Sequence, residues 1–174
     1  MPHELARRIY DVAHLTGAFT LRSGVTSTEY FDKYLFESDP ELLRAISGAL
    51  AAKVPTDVDA LAGLELGGIP IVTMLSQLTG KPARFVRKHA KDYGTCRIAE
   101  GGAIAGQRLL IVEDVVTSGG AILDAAVELR AEGALLDRVV CVIDRQSGGV
   151  GNLASSGLTL DALFTMDELS AAAG

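Results

Sequence analysis

The sequence predicts an α/β fold in which a central parallel sheet is flanked by helices. Strand-like apolar runs alternate with helical patterns along the chain, and this alternation is typical of parallel βαβ units. One run, LLIVEDV at residues 109–115, is apolar on consecutive rather than alternate positions, as expected of a strand covered on both faces. The length of 174 residues suits a single domain, 1–174, with a self-sufficient core.

The individual elements can be placed in chain order. Residues 4–15 carry Leu5, Ile9 and Val12 at helical spacing, which predicts an amphipathic N-terminal helix. The tetrapeptide SDPE at 38–41 offers a capping serine, a first-turn proline and a glutamate, and predicts the start of a second helix. The remaining predicted strands are 60–64, 83–87, 108–113, 138–143 and 158–164, and the remaining predicted helices include 69–79 and 120–132.

Composition and charge argue against several classes of protein. The net charge of −6 argues against general nucleic-acid binding, and no apolar stretch is long enough to span a membrane. Charged residues interrupt every apolar run in the first twenty positions, so we expect no secretory signal and a cytoplasmic location. Cys96 and Cys141 form neither a framework nor a CxxC pair, and we expect two free thiols.

The strongest functional signal is the segment RLLIVEDVVTSGGAI at residues 108–122, which joins a strand, two acids, a small-residue turn and a helix. A helix that begins at the carboxyl end of a parallel strand directs free backbone N–H groups at the ligand crevice. Gly119 and Gly120 permit close backbone approach, and the hydroxyls of Thr117 and Ser118 add donors. The segment therefore predicts a phosphate-binding loop.

Two acids, Glu113 and Asp114, precede this loop and would repel a phosphate. They need hydroxyl donors or a metal-bound partner, and a ribose diol beside the phosphate supplies both. The segment lacks the lysine of a Walker loop and the GxGxxG of a dinucleotide fingerprint, so a phosphosugar is the better ligand. The alternative is that the two acids only end a strand and cap a helix.

A basic segment precedes the loop in the sequence. Six basic residues and one acid lie between Lys81 and Arg97, a net charge of +5 in an acidic chain. Cations on a departing diphosphate stabilise the transition state more than the ground state, and a closing lid would exclude water. The alternative is a solvated basic loop. His89 is expected to be exposed, and with His3 and His14 it shows no metal-ligand spacing.

Both segments resemble a known family. Four apolar residues, two acids and a small-residue loop resemble the motif that binds 5-phosphoribosyl diphosphate (PRPP) in type I phosphoribosyltransferases, and RKHAK at 87–91 resembles the RKxxK lid signature of the orotate phosphoribosyltransferases. The resemblance implies the type I fold, with a lid over about residues 88–102. It implies that the acids hold the ribose hydroxyls, the loop holds the 5-phosphate and the lid cations hold the diphosphate. The implied PRPP-binding residues are Arg87, Lys88, Lys91, Tyr93, Glu113, Asp114, Val115, Val116, Thr117, Ser118, Gly119, Gly120 and Ala121, with Lys88, Lys91 and Asp114 as catalytic residues.

A third segment resembles the same family. Residues 19–36, FTLRSGVTSTEYFDKYLF, are similar to the hood pattern FxLxSGxxSxxYFD, and we expect a small hood over about residues 1–36. Relatives often carry lysine at the position of Arg22 and histidine at that of Tyr93. Further candidate site residues are Arg22, the hood aromatics Tyr30 and Phe31, and the backbone of Gly67. Aromatics in such a pattern are more often core residues.

The orotate carboxylate calls for an arginine fork. Arg145 follows the strand RVVCVID at its presumed ligand end, and the alternative is a surface arginine beside Asp144. The resemblance makes Arg145 the orotate ligand, with Thr117 as a second contact.

The resemblance covers about residues 4–168 and implies an overall reaction. Orotate and PRPP would give orotidine 5′-monophosphate and pyrophosphate, with Mg²⁺ held mainly through the substrate rather than by protein ligands. It also implies a homodimer whose lid reaches the neighbouring active site, with no nucleic-acid or membrane partner. Two alternatives stay open: a phosphoribosyltransferase for another base, and a non-catalytic PRPP sensor that binds nucleic acid.

Overall fold

A computed structural model of the chain describes residues 2–20, 24–89 and 97–174. Within those ranges it contains seven helices and eight strands. In chain order they are α1 Pro2–Ala13, β1 His14–Thr20, β2 Thr26–Phe31, α2 Lys33–Ser38, α3 Pro40–Ala51, β3 Ala60–Leu64, α4 Gly68–Thr79, β4 Ala83–Val86, β5 Ala99–Glu100, β6 Arg108–Val116, α5 Gly120–Ala131, β7 Leu135–Asp144, α6 Gly149–Ala154, β8 Thr159–Thr165 and α7 Met166–Ala173.

The main sheet has the strand order β5-β4-β3-β6-β7-β8. All neighbours in it are parallel except β5, which runs antiparallel to β4 at one edge. Strand β6 lies in the middle and contributes Leu110 and Val112 to one apolar cluster and Leu109 and Ile111 to another. The predicted α/β class and the strand covered on both faces are therefore confirmed.

The predicted strands and helices are all present, but some boundaries differ. Strand β6 continues to Val116 because Val115 and Val116 still pair with Ile143 and Asp144 of β7. The two acids at 113 and 114 therefore lie inside a strand ladder, and the alternative that they end the strand is wrong. The cap of α3 is Asp39 rather than Ser38, since the Asp39 carboxylate accepts from the backbone of Glu41 and Leu42 at 2.9 Å.

The N-terminal part contains a hairpin that the sequence patterns did not predict. Strands β1 and β2 pair antiparallel, from His14 opposite Phe31 to Thr20 opposite Thr26, in a separate two-stranded sheet. The Asp32 carboxylate then accepts from the backbone of Tyr34 and caps α2. This hairpin leads the chain from α1 into α2, which lies next to the carboxyl end of β6.

The ends of the described chain pack into the core. Ile9 of α1 and Leu169 of α7 are both fully buried in the cluster that also contains Phe36. Cys141 is a buried free thiol, as predicted, whereas Cys96 lies outside the described residues. None of the helices in the described ranges has the length and apolar character needed to cross a membrane.

Candidate active site

The predicted phosphate loop connects β6 to α5. Gly119 is the residue before the helix, in the left-handed region at φ 79°, and it provides no side-chain cap. The first N–H groups of α5 therefore remain available to an anion. Thr117 and Ser118 are exposed beside them. From the other side the Asn152 amide donates to the Ser118 carbonyl at 2.9 Å and supports the loop.

An open cleft of about 920 Å³ separates the loop from the basic segment. Its volume is within the range typical of small-molecule sites. The structure thus brings together predicted site residues from two distant parts of the sequence. The lining residues include Glu65, Arg87, Lys88, His89, Thr117, Ser118, Gly120, Ala121, Asp124 and Glu128.

Two carboxylates contact the part of the basic segment that follows β4. The Arg87 guanidinium lies 3.4 Å from Glu100 on β5, and the backbone N–H of Lys88 donates to Glu65 at 2.6 Å. The Lys88 side chain is exposed in the cleft, and His89 is exposed as predicted. Lys91 and Tyr93 lie outside the described residues.

The basic segment divides into a structural part and a part that faces the cleft. The Lys81 ammonium donates to the carbonyls of Thr56 and Val58, and the buried Arg84 guanidinium donates to the carbonyls of Gly101 and Ala103. These two cations satisfy backbone acceptors and are absent from the cleft lining. The basic residues of this segment therefore have two roles. Lys81 and Arg84 bind backbone carbonyls, and Arg87 and Lys88 line the cleft.

The two acids of the motif lie behind the cleft, in a group that we call the carboxyl-end cluster: Lys33, Glu37, Glu113 and Asp114. Asp114 has no exposed surface, and its Oδ2 lies 2.6 Å from the Lys33 ammonium. Its Oδ1 accepts from the backbone N–H of Val115. Glu37 and Glu113 are 6% and 8% exposed, so the three acids are nearly closed to water, whereas the Lys33 side chain is 33% exposed.

Burial changes the ionisation of this cluster. Desolvation, aided by a hydrogen bond and repulsion involving Asp114, raises the pKa of Glu37 to about 9. Burial also raises the pKa of Glu113 well above its usual value. Burial opposes ionisation of Asp114, but hydrogen bonds from Glu113 and Glu37 and the charge of Lys33 outweigh it, so the pKa of Asp114 is lowered. Burial therefore disfavours the charged forms of Glu37 and Glu113, and Asp114 is the carboxylate that pairs with the Lys33 ammonium.

Gly67 lies against this cluster. Its φ of −68° is ordinary, so backbone conformation does not require a glycine there. A Cβ atom would overlap Asp114 Oδ2 and stand 2.9 Å from Glu37 Oε1. Close approach of the backbone to the two carboxyl groups is therefore what requires the glycine. The sequence predicted a backbone role for Gly67 but not this contact.

Arg145 follows β7, next to the phosphate loop. Its backbone N–H donates to the Val116 carbonyl at 2.8 Å, and its guanidinium lies 5.9 Å from the ring centre of Phe31. Phe31 is half-buried against the core, while Tyr30 is 44% exposed and packs on Phe19. The alternative that both aromatics are core residues therefore fails for Tyr30, because its side chain is exposed.

Sequence reasoning missed Lys33 and Glu37. They stand four residues apart on α2, and this spacing places both on one helical face. Only that spacing could have drawn attention to them. Arg22, named as a site candidate, lies outside the described residues.

Mg²⁺ fits the oxygen donors around the cleft. Across residues 2–20, 24–89 and 97–174 no three His, Cys, Asp or Glu side chains are grouped to hold a metal ion. Mg²⁺ commonly keeps several waters and binds through substrate phosphates, so the carboxylates and hydroxyls that line the cleft are compatible with it.

Comparison with known proteins agrees with this geometry. Residues 36–159 match the family model described as a phosphoribosyl transferase domain. The chain is 55% identical over 168 residues to the orotate phosphoribosyltransferase of a Nocardioides species, covering 97% of this chain and 94% of the relative. It is 42% identical over 153 residues to that of Halobacterium salinarum, covering 88% and 87% of the two chains.

Solved structures show the same fold. The Mycobacterium tuberculosis orotate phosphoribosyltransferase in complex with Fe(III) dicitrate superposes with a TM-score of 0.86 at 29% identity, covering 97% of this chain and 98% of that one. The same enzyme crystallised in complex with PRPP gives a TM-score of 0.82 at 26% identity over the same shares.

The matched domain runs from the end of α2 to the start of β8, so it contains the phosphate loop, the basic segment and both acids. This defines the class of protein as a phosphoribosyltransferase of the type I fold. Because identity to the curated relatives extends over nearly the whole length, the chain belongs to the orotate phosphoribosyltransferase family.

Proposed function

We propose that this chain transfers the 5-phosphoribosyl group of PRPP to orotate and forms orotidine 5′-monophosphate and pyrophosphate. The observation that carries the proposal is the cleft, which has the phosphate loop on one wall and Arg87 and Lys88 on the other. A doubly phosphorylated sugar needs anion sites at both of its ends. The family to which the chain belongs makes orotate the acceptor base.

The loop is proposed to bind the 5-phosphate. Backbone N–H groups from Gly119 to Ala121 and the hydroxyls of Thr117 and Ser118 surround one anion position, with Val115 and Val116 as the strand residues that present them. The positive end of the α5 dipole favours the phosphate. The Asn152 amide donates to the Ser118 carbonyl and so satisfies one acceptor of the loop.

The lid cations are proposed to bind the diphosphate. As the bond from C1 to the leaving oxygen breaks, negative charge grows on the diphosphate, so a cation beside it stabilises the transition state most. Arg87 and Lys88 stand at the cleft, and Lys91 and Tyr93 are assigned the same role by family resemblance. Mg²⁺, held mainly through the substrate, would neutralise diphosphate charge and orient it.

Glu113 and Asp114 are proposed to hold the ribose hydroxyls. The ionised Asp114 accepts hydrogen bonds, and Glu113 in its protonated form can both accept and donate. Because Asp114 has no exposed surface, direct contact with a hydroxyl requires its side chain to rotate away from Lys33. Lys88, Lys91 and Asp114 are the proposed catalytic residues.

The acceptor base is proposed to lie near Arg145 and Thr117. Arg145 is exposed at the end of β7, and the adjacent half-buried Phe31 extends the site toward the hood. An arginine fork pairs well with the orotate carboxylate. No protein nucleophile is needed, since positioning and electrostatics suffice for attack by the ring nitrogen on C1.

Orotate-dependent release of pyrophosphate from PRPP with Mg²⁺ tests the reaction. Lys88→Ala should lower kcat by about 100-fold while PRPP binding changes much less, because the lysine acts chiefly on the departing group. Lys53→Ala, which removes a lysine far from the cleft lining, is the control. Equal losses in turnover and PRPP affinity would contradict the transition-state role of Lys88.

The same assay separates the alternatives. A panel of purine and pyrimidine bases distinguishes orotate from another acceptor, and activity with uracil but none with orotate would overturn the proposal. PRPP binding without turnover on any base, together with nucleic-acid binding at low salt, would identify a sensor instead.

We also propose a homodimer in which the lid of each subunit completes the other active site, in the cytoplasm. Family resemblance supports this assembly, with a hood over about 1–36 and a lid over about 88–102 in each subunit. Mixing the weakly active Lys88→Ala and Arg145→Ala variants tests it, because a hybrid dimer would contain one intact site. Restored activity supports the shared site, and additive residual activity contradicts it.

A further inference from the structure

Gln146, which directly follows Arg145, has an unusual backbone. At φ 55° it is the one non-glycine residue in the left-handed region across the described ranges. A side chain with a Cβ disfavours this conformation, and such residues persist where surrounding contacts determine them, often near functional sites. Glycine occurs two positions later at Gly148, so the chain uses a glycine nearby yet carries glutamine here.

Three hydrogen bonds hold Gln146 in place. Its backbone N–H donates to the Asp144 carboxylate at 2.8 Å. Its side-chain amide donates to the Asp167 carboxylate at 3.0 Å, and its amide oxygen accepts from the Asp167 backbone N–H at 3.1 Å. The last bond also satisfies a free N–H in the first turn of α7. The amide of Gln146 is thus fixed at both ends by one residue of another element.

The segment after Arg145 is held at a second point. A Cβ atom on Gly149 would stand 2.5 Å from the Thr117 carbonyl and 2.7 Å from a Val116 methyl, so that glycine lies directly on the phosphate loop. The Arg145 backbone N–H bonds to Val116 as well. The position of Arg145 relative to Thr117 is therefore set by the Asp167 contact on one side and the loop contact on the other.

We propose that Gln146 and Asp167 are positioning residues for Arg145, which fix the separation between this arginine and Thr117 and so select an acceptor base that carries a carboxylate. The inference rests on the proposed role of Arg145 in binding orotate. Neither residue is among those that line the cleft. They act by restricting the backbone from which the guanidinium projects, while the guanidinium itself stays exposed and unpaired with Asp144 among the described contacts.

Steady-state kinetics of Gln146→Ala tests the proposal. The variant keeps the Cβ atom but loses both amide contacts, so the backbone should relax toward negative φ and displace Arg145. We expect the KM for orotate to rise by about 10- to 100-fold, because misplacement on the scale of 1 Å has such effects, and the KM for PRPP to stay within about twofold. Asp167→Ala removes the carboxylate partner but keeps the backbone N–H that donates to the Gln146 amide oxygen, so it should raise the orotate KM in the same direction and by less.

A double variant checks that the two residues act as one unit. Gln146→Ala combined with Asp167→Ala should be no worse than the more affected single variant, because both substitutions remove the same contact. Gln146→Gly separates strain from positioning, since it tolerates the left-handed backbone without the amide contacts. Because its backbone need not relax toward negative φ, it should raise the orotate KM less than Gln146→Ala does.

Glu168→Gln is the matched control on the same helix. Glu168 caps α7 by accepting from Thr165, and no hydrogen bond among the described residues joins it to the segment after β7. Glutamine can also accept in a capping box, so Glu168→Gln should change stability little and leave orotate KM unchanged. Arg145→Ala is measured in parallel. If it leaves orotate KM unchanged, the proposed role of Arg145 fails. If it raises orotate KM while the Gln146 variants do not, or if they raise both KM values equally, the positioning inference is wrong.

Discussion

The two ends of the parallel sheet carry ionic groups of opposite character. At the amino end, Arg108 and Arg138 pair with Asp57 and Asp137 at 2.7 to 3.9 Å, and all four side chains are at least 33% exposed. At the other end, the carboxyl-end cluster buries three acids with one lysine. The amino-end network is balanced and hydrated, whereas the acids of the cluster are nearly excluded from water and burial raises the pKa of two of them.

This difference separates structure from function. Exposed pairs contribute little to stability because water screens them. Buried acids cost free energy unless partners or protons neutralise them, and perturbed ionisation of this kind is concentrated at functional sites. The free-energy cost of buried acids therefore occurs at the end of the sheet where the phosphate loop begins. Ligand sites in parallel sheets are expected at this end.

The largest expected effect comes from placing a methyl group inside the cluster. Gly67→Ala puts a carbon in overlap with Asp114 Oδ2, so either the carboxylate or the loop before α4 must move. We expect kcat/KM to fall by about 100-fold. Gly48→Ala, in the exposed middle of α3 with open space around it, is the control and should slightly raise the melting temperature. Unchanged activity of Gly67→Ala would show that the cluster tolerates a side chain at this position.

Two lysine–aspartate pairs allow a direct comparison of burial. Lys33 with Asp114 and Lys53 with Asp161 both stand at 2.6 Å, but Asp161 is 54% exposed and Asp114 not at all. Lys33→Met should lower the free energy of unfolding by about 2 kcal/mol, after allowance for the partial exposure of Lys33, because it leaves a buried carboxylate without its cation. Unfolding in urea measures this loss of free energy. The loss for Lys53→Met should be only a few tenths of the loss for Lys33→Met. Equal losses would show that burial does not matter here.

A smaller effect should appear in the pH dependence of stability. Since the pKa of Glu37 is about 9 in the folded state and about 4.5 when unfolded, the protein retains a proton that the unfolded chain releases. The contribution of protonated Glu37 to the free energy of unfolding is full below pH 4.5 and is lost as pH rises through 9. Glu37→Gln has no such proton, so its stability relative to the parent should grow by about 1 kcal/mol from about pH 6 to about pH 8, after allowance for solvent screening. A constant difference across that range would show that Glu37 is ionised.

The smallest effect is expected at the amino-end network. Arg138 holds the pKa of Asp57 below its usual range through a hydrogen bond, yet both groups remain in contact with water. Arg138→Met should leave kcat/KM unchanged and alter the melting temperature slightly, and salt should remove even that difference. A loss of activity comparable with that of the cluster variants would contradict the separation of roles.

The sequence was sufficient for the fold and for the loop because both depend on local patterns. Consecutive apolar residues before Glu113 predict a doubly covered strand, and Gly119 at the start of a helical pattern predicts an anion site. These signals need no knowledge of distant residues. Family motifs then extended the prediction to the reaction.

Contacts between distant segments could not be predicted in this way. Lys33 lies far before Asp114 in the chain, and nothing near either residue indicates that they meet. The acids belong to the strand ladder only because β7 continues beside them, and pairing between strands is invisible to a pattern in one segment. Lys81 and Arg84 were counted with the basic segment, and charge in a sequence does not reveal which backbone acceptors a side chain will reach.

The edges of the main sheet bear on how copies of the chain can associate. Strand β5 is only two residues long, and β8 at the opposite edge carries Asp161 with its bound Lys53. Short and charged edges discourage the addition of a further strand from another molecule. We therefore expect the sheet to end within the subunit, and any second subunit to attach through helices or the hairpin rather than by extending the strand ladder.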